Sequence, residues 1–404
     1  MNVLFITKAN VTSINERGIY ADLLREFVKN GHNVCIVTPN ERRNGENTKL
    51  VKEDGCAILR VKTLNLQKVN LIEKGIATLR LEKQYVKAIK KYFADVKFDL
   101  VLYSTPPVTF AKVVQFVKLR DNAKCYLLLK DIFPQNAIDL GILKKKGLKG
   151  LIYSIFKKKE KKLLELSDYV GCMSPENCRY VISNYPYVNP EKVHVSPNSI
   201  EYKELVLTPE EKIGIRKEYE LPLDKKIFVF GGNLGRPQGI EFFLQAIKES
   251  KDIEDVFFLI VGAGTEYGRI KKFIKDNDVK NAKLIDYVQK EVYERMICAF
   301  DAGIIVLHYD FTIPNFPSRA LSYMSAGLPI FACTDRATDM GEIITKNGFG
   351  WWCPSNDLPR FVETLREALN SPTEKMGELG RQYLKENYLV ENSYKIITDA
   401  IETK

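Results

Sequence analysis

The chain has 404 residues, 45% hydrophobic and 28% charged, with a net charge of +10, and since single cores seldom grow past ~250–300 residues its length suggests two domains. That composition excludes disordered, collagenous and coiled-coil classes. No apolar run reaches the ~18–20 residues that span a bilayer, and Met1 to Lys8 lacks a basic n-region and a long apolar h-region, so it reads as the first strand of a cytoplasmic protein.

In chain order, strand Asn2–Thr7, helix Tyr20–Asn30, a stop at Gly31 and strand Asn33–Thr38 form a βαβ unit. Further strands are expected near Cys56–Val61, Asp99–Tyr103, Lys124–Leu129 and Asp168–Cys172, with helices near Leu71–Phe93, Val108–Leu119 and Gly147–Leu166. Apolar strands alternating with amphipathic helices imply a parallel sheet covered on both faces. After Val193–Val195, a loop through Ser196 to Ile200 and a charged stretch to Lys225 make the best linker. A second series then opens strands near 226, 256, 282, 302 and 328, at spacings of 30, 26, 20 and 26 residues that fit βα units. The tail after Ser371 is helical in pattern and is expected to pack outside or cross back. The divisions expected are therefore 1–200, 201–385 and a final segment 386–404.

Eight cysteines form no C-x-x-C pair and read as reduced core residues. His32, His194 and His308 have no metal-ligand spacing, so neither a zinc site nor any other metal or cofactor is expected. Between Lys144 and Lys162 there are nine lysines against one acid, Glu160. Leu148, Leu151, Ile152, Ile155 and Phe156 interleave with them at helical spacing. An anionic membrane surface is therefore the expected partner of Lys144, Lys145, Lys146, Lys149, Lys157, Lys158 and Lys159. A solvated helix face is the plainer alternative, and no nucleic acid is expected.

In open parallel sheets, ligands bind beyond the carboxyl ends of strands, so four loops that follow strands draw the chemistry. The first is Gly231 to Gly239, where glycines admit a phosphate, the following helix offers free N–H groups and Arg236 offers a fork of donors; a tight βα turn is the bland reading. The second, Gly262-Ala263-Gly264, is ambiguous, because close helix–strand packing alone asks for such glycines. The third, His308 to Pro317, leads into a helix opening with Ser318-Arg319, a second place for phosphate, although Ser318 also suits an ordinary N-cap. In the fourth, Lys130 to Asn136, Asp131 would project from the end of its strand, or else bond its own turn. His308 also ends a strand and, as a lone histidine, is more often structural.

These residues taken together are similar to glycosyltransferase family four. The resemblance rests on Gly31-His32-Asn33-Val34, Pro197-Asn198-Ser199-Ile200, the Gly-Asn-Leu-Gly loop at 232–235, Val261-Gly262-Ala263-Gly264, and Pro317-Ser318-Arg319 leading into Tyr323-Met324-Ser325-Ala326-Gly327-Leu328-Pro329. It covers nearly the whole chain and is nearest to the cell-surface polysaccharide branch with N-acetylfucosamine transferase-like enzymes, where a turn like Asp131 to Pro134 also occurs. It implies an α/β chain of GT-B fold, two Rossmann-like domains with parallel sheets facing an interdomain cleft, the acceptor held by the first domain and the nucleotide-sugar by the second. It further implies a retaining, metal-free hexosyl- or N-acetylaminosugar transferase of capsule or O-antigen assembly, in which the departing phosphate takes the acceptor proton.

The donor, with UDP as the expected nucleotide, would then touch Gly18, Gly232, Asn233, Gly235, Arg236, Gly262, Gly264, Ser318, Arg319 and Ser322. Asp131 and His308 would be the catalytic candidates, with Asp131 facing the donor sugar or acceptor hydroxyl across the cleft. A polyprenyl-diphosphate-linked or glycan acceptor, met at the inner face of the cell membrane, is expected. The chain departs from the pattern in four places: the usual Arg and Lys of the first phosphate loop fall on Asn233 and Gln238, and the usual pair of glutamates on Pro314 and Ser322.

Three rivals bear comparison. A nicotinamide-dependent oxidoreductase should open with G-x-G-x-x-G, whereas Lys8 to Gly18 contains one glycine. A sugar-nucleotide epimerase should carry more carboxylates and histidines in its loops. A non-catalytic GT-B partner subunit would explain the missing glutamates, and nucleotide release from a sugar donor would separate it from an active enzyme.

Overall fold

The computed structural model describes residues 1–402 except 54, 67, 68 and 70, and the backbone alone of 71, 72 and 74. Residues 403 and 404 of the expected final segment lie outside the described residues. The chain divides into two compact units, Met1–Glu201 with Val390–Lys404, and Tyr202–Leu389.

The first unit runs β1 (Asn2–Ile6), α1 (Ile19–Lys29), β2 (Asn33–Glu41), β3 (Lys49–Glu53), β4 (Cys56–Thr63), α2 (Leu71–Tyr92), β5 (Leu100–Thr105), α3 (Ala111–Asp121), β6 (Lys124–Leu129), α4 (Gln135–Asp139), α5 (Gly147–Leu166), β7 (Tyr169–Cys172), α6 (Pro175–Asn184) and β8 (Val193–Val195). The strand order is β3-β4-β2-β1-β5-β6-β7-β8. Strands β1 and β5 are buried along almost their whole length rather than at alternate positions, as strands covered by helices on both faces require. Helix α1 lays Leu23, Leu24 and Phe27 into that core, and Gly31, with φ of 77°, ends its exit turn in the left-handed region.

The second unit follows with α7 (Pro209–Glu218), β9 (Lys226–Asn233), α8 (Ile240–Glu249), β10 (Val256–Ala263), α9 (Tyr267–Asp276), β11 (Ala282–Ile285), α10 (Lys290–Ile297), β12 (Ala302–Val306), α11 (Arg319–Ala326), β13 (Ile330–Thr334), α12 (Met340–Lys346), β14 (Gly350–Pro354), α13 (Leu358–Leu369) and α14 (Thr373–Asn387). Its all-parallel sheet is ordered β11-β10-β9-β12-β13-β14. The chain then returns to the first unit as α15 (Val390–Glu402), where Ile397 enters the core and Tyr394 meets Phe27 edge-on at 4.9 Å.

The structure departs from the sequence reading in several elements. The first sheet is not wholly parallel, because β3 pairs antiparallel with β4 as an edge strand. The stretch read as linker contains α7, fixed by a capping box in which Glu211 N–H donates to the Thr208 hydroxyl at 3.2 Å and Thr208 N–H to Glu211 at 2.9 Å. Strand β13 starts at Ile330 rather than 328, and β14 was not anticipated. In each sheet the strand order reverses once, at β1 and β5 and at β9 and β12, and the carboxyl ends of strands at such a point are where open α/β sheets take ligands.

Candidate functional site

In the second unit, β9 continues into its glycine loop in register with β10, Gly232 opposite Gly262 and Asn233 opposite Ala263. A Cβ on Gly262 would fall 1.9 Å from the Gly232 carbonyl oxygen, and one on Gly264 2.2 Å from that of Leu234. Backbone packing between the two loops therefore accounts for both glycines without a ligand. Gly231 is constrained from another side, since a Cβ there would lie 1.8 Å from the Tyr293 hydroxyl. Gly232, with φ of +110°, faces Arg319, whose Nη2 lies 3.9 Å from where its Cβ would be.

Arg319 is the unusual group. Its guanidinium carbon lies 4.7 Å from the centre of the Phe230 ring, a cation–π contact. Its Nη1 is buried with no hydrogen-bond partner, and among the described residues the neighbours that act on its charge are Tyr293 and Tyr323. Burial pulls its pKa down from the ordinary arginine value. Arg319 is half-buried, and a cation whose inner nitrogen is desolvated, with no carboxylate acting on it among the described residues, favours an anion from outside the chain. Tyr323, one turn along α11, fixes the arrangement by accepting the Gly231 N–H at 3.1 Å while its hydroxyl reaches the carbonyls of Val229 and Ile304.

The other donor candidates divide. Arg236 and Asn233 are exposed, and Arg236 forms no ion pair among the described residues. The Gly235 N–H, expected to face phosphate, instead donates to Gln238 Oε1 at 3.1 Å. Ser318 sits at the start of α11 without capping it, so the ordinary N-cap reading fails, and Ser322 is half-buried one turn on. His308 ties two loops together: its N–H donates to the Pro237 carbonyl at 2.9 Å, and its Nδ1 accepts from the Asp310 N–H at 3.3 Å.

In the first unit, Asp131 follows β6. Its Oδ2 accepts from Asn136 Nδ2 at 2.8 Å, while Oδ1 is buried with no hydrogen-bond partner among the described residues. Burial pushes its pKa up to about 6, with the charge of Lys8, the Ile132 backbone and Asn136 acting the other way. Lys130, beside it, is driven down to about 7 by burial, against the influence of Cys172. The adjoining Phe133–Pro134 bond is cis, and the Phe133 ring meets Phe156 of α5 edge-on at 5.1 Å. Gly18 precedes α1 in extended backbone, with φ of 172°, and its N–H donates to Asp22 at 3.0 Å. A Cβ there would meet nothing within 4 Å, so packing does not demand glycine at this position.

Of the seven lysines read as membrane-facing, Lys144, Lys145, Lys146, Lys149 and Lys158 are exposed. Lys157 and Lys159 are a correction to that reading. They turn to the protein, pairing with Glu160 at 2.7 Å and Glu82 at 3.1 Å, because those two carboxylates are buried and need cations.

The sequence reading singled out the loop from Lys130 to Asn136 but gave those two residues no role, and it missed the aromatic surround of Arg319. A lysine directly after the apolar run Cys125 to Leu129 was the available signal for Lys130. Phe230, Tyr293 and Tyr323 come from β9, α10 and α11 and carry no common local pattern. Among the described residues, no group of three or more His, Cys, Asp or Glu could hold a metal, and no helix is long and apolar enough to cross a membrane.

Residues 19–204 match the family described as Glycosyltransferase Family 4, and residues 211–386 that described as Glycosyl transferases group 1. The probable glycosyltransferase WbjE of Pseudomonas aeruginosa is 26% identical over 330 residues, 80% of this chain and 78% of its own. The putative colanic acid biosynthesis glycosyl transferase WcaI of Escherichia coli (strain K12) is 22% identical over 298 residues, 73% of this chain and 72% of its own. Among solved structures, Anabaena Alr3699/HepE in complex with UDP superposes with a TM-score of 0.69 at 13% identity, covering 100% of both chains.

Proposed function

Because the chain belongs to the GT-B glycosyltransferases, a Family 4 domain followed by a group 1 domain, we propose that it moves a hexosyl or N-acetylaminosugar group from a nucleotide-diphosphate sugar to a lipid-linked or glycan acceptor. UDP is the nucleotide of choice, a reading supported by the UDP complex of the Anabaena relative. The process is assembly of a surface polysaccharide at the inner face of the cell membrane, in keeping with the name that WcaI carries.

The observation that carries the donor assignment is the uncompensated Arg319 cation beside Gly232, at the amino end of α11. A leaving diphosphate gathers negative charge as the glycosidic bond breaks, and a preorganised guanidinium with a helix N-terminus stabilises that charge. Arg236 and the Ser318 hydroxyl add donors from exposed positions. Gly262 and Gly264 serve the donor by holding the loops in shape. Asp131, with a carboxyl poised near pH 6 and one oxygen unpartnered, orients the acceptor hydroxyl. The phosphate takes the proton, and configuration is retained. His308 acts by joining the Pro237 and 308–317 loops.

The test is nucleotide release from a panel of nucleotide-sugars in the presence of lipid extract. Arg319→Ala should weaken donor binding, and turnover should survive EDTA. Full donor affinity in Arg319→Ala, or turnover abolished by chelation, would overturn the assignment.

A further inference from the structure

Helix α5 is built in two halves. Its second half is tied down: Leu163 and Leu164 are buried, Lys159 pairs with Glu82, and the buried Glu160 accepts from the Tyr185 hydroxyl at 2.6 Å. Its first half turns an apolar row outward. Leu148 is 86% exposed and Leu151 62%, with Ile152 and Ile155 each at 44%. Their spacing of three, four and seven residues puts them on one face, the reverse of a surface helix that hides its apolar stripe. Ile142, just ahead of the helix, is exposed as well. Around this row stand Lys144, Lys145, Lys146 and Lys149, all exposed and none in an ion pair among the described residues.

We infer that this face docks on an anionic phospholipid bilayer. The leucines and isoleucines enter the acyl boundary, and the lysines meet headgroups. Charge complementarity selects this occupant, because an apolar row ringed by unpaired cations fits a surface that is apolar beneath and negative above. The row is also coupled to the Asp131 turn, since Phe156 of the same helix packs on Phe133, two residues beyond Asp131. Resting on the function proposed above, docking brings that turn to the interface where an acceptor anchored in the bilayer presents its sugar.

Flotation of the full chain with vesicles tests the docking without any sugar donor or acceptor, so its failure and a failure of the transferase reading are distinguishable. The chain should float with phosphatidylcholine vesicles holding roughly 30% phosphatidylglycerol at low salt, and should be released at about 0.5 M salt. Each lysine contributes on the order of fivefold to partitioning. Joint replacement of Lys144, Lys145, Lys146 and Lys149 by Gln should therefore cut flotation at least tenfold, as should Leu148→Ser with Leu151→Ser and Ile152→Ser. The charge-matched replacement of Lys251, Lys271, Lys272 and Lys275 by Gln should leave it unchanged. No flotation of the natural chain, equal flotation on pure phosphatidylcholine, or unchanged flotation of the two α5 variants would overturn the proposal. So would a concentration-dependent dimer abolished by the serine variant, which would give this face to a second copy of the chain.

Discussion

The Gly231 N–H donates to the Tyr323 phenol oxygen at 3.1 Å, and the same oxygen reaches the carbonyls of Val229 and Ile304 at 3.1 and 3.2 Å. One hydroxyl thus joins β9, β12 and the helix that bears Arg319. Tyr323→Phe leaves buried backbone groups without a partner, at a cost of about 1–3 kcal/mol. Thermal unfolding should show a lower midpoint, and donor KM should rise because Arg319 loses its footing. An unchanged midpoint would show that the hydroxyl bears no weight.

Arg319→Ala should weaken UDP binding by one to two orders of magnitude, the worth of a charge-assisted contact of about 1.5–3 kcal/mol. Arg319→Lys should recover part of it, since a point charge replaces a fork. Calorimetric titration with UDP reads both. The alanine variant should unfold within about 1 kcal/mol of the parent, because loss of the cation–π contact with Phe230 offsets relief of a charge whose Nη1 is desolvated with no hydrogen-bond partner among the described residues.

Burial raises the Asp131 carboxyl from 3.8 to about 6, so the folded chain holds that proton more tightly than the unfolded chain does. Its contribution to stability is fully present below pH 3.8 and is lost as the pH rises through about 6. Turnover should run the opposite way, rising with pH through about 6 as the carboxylate forms. Asp131→Asn should lower turnover by ~10²–10⁴ while raising stability at pH 8 by about 1–3 kcal/mol. A variant that keeps its turnover makes Asp131 a turn residue and shifts attention to His308 or Asp310.

Gly18→Ala and Gly264→Ala should behave differently. At 18 the added methyl meets nothing within 4 Å, whereas at 264 it lands 2.2 Å from the Leu234 carbonyl oxygen. The first should keep its melting temperature and lose donor affinity if a ligand approaches that backbone; the second should lose stability outright. Equal melting temperatures for the pair would contradict the loop packing.

Lys159→Gln removes the cation paired with the buried Glu82, which keeps the Lys112 N–H at 2.9 Å, and should destabilise the chain by about 1–3 kcal/mol, while Lys149→Gln should stay within about 0.5 kcal/mol. Chemical denaturation of the two variants checks the inward and outward assignments of these lysines.

How far the sequence was legible depends on the range of the interactions. The βα order of both units could be read from apolar runs and glycine stops, because those signals sit within one element. The α7 capping box was also local, in Thr208 and Glu211, and was hidden by the high charge of its surroundings. Edge strand β3 offered only Leu50 and Val51 among charged residues, too little alternation to announce itself. The position of Asp131 in the chain pointed to the end of a strand, and that of Arg319 to the start of a helix. Their physical states did not show, since the burial of one oxygen and the aromatic surround of a guanidinium are made by residues that fold in from other elements. Lys157 and Lys159 illustrate the same limit, as nothing within the stripe tells which lysines have a buried carboxylate waiting on a neighbouring helix.

The return of α15 to the first unit fixes an order of assembly. The second unit is one unbroken length of chain and is complete once Leu389 has emerged. The first unit, although begun earlier, waits for Tyr394 to close over Phe27 and give His32 Nε2 its 2.8 Å partner, and for Ile397 to fill the core. During synthesis the part begun first is thus finished last, with Phe27 lacking the cover of Tyr394 while residues 202–389 are translated.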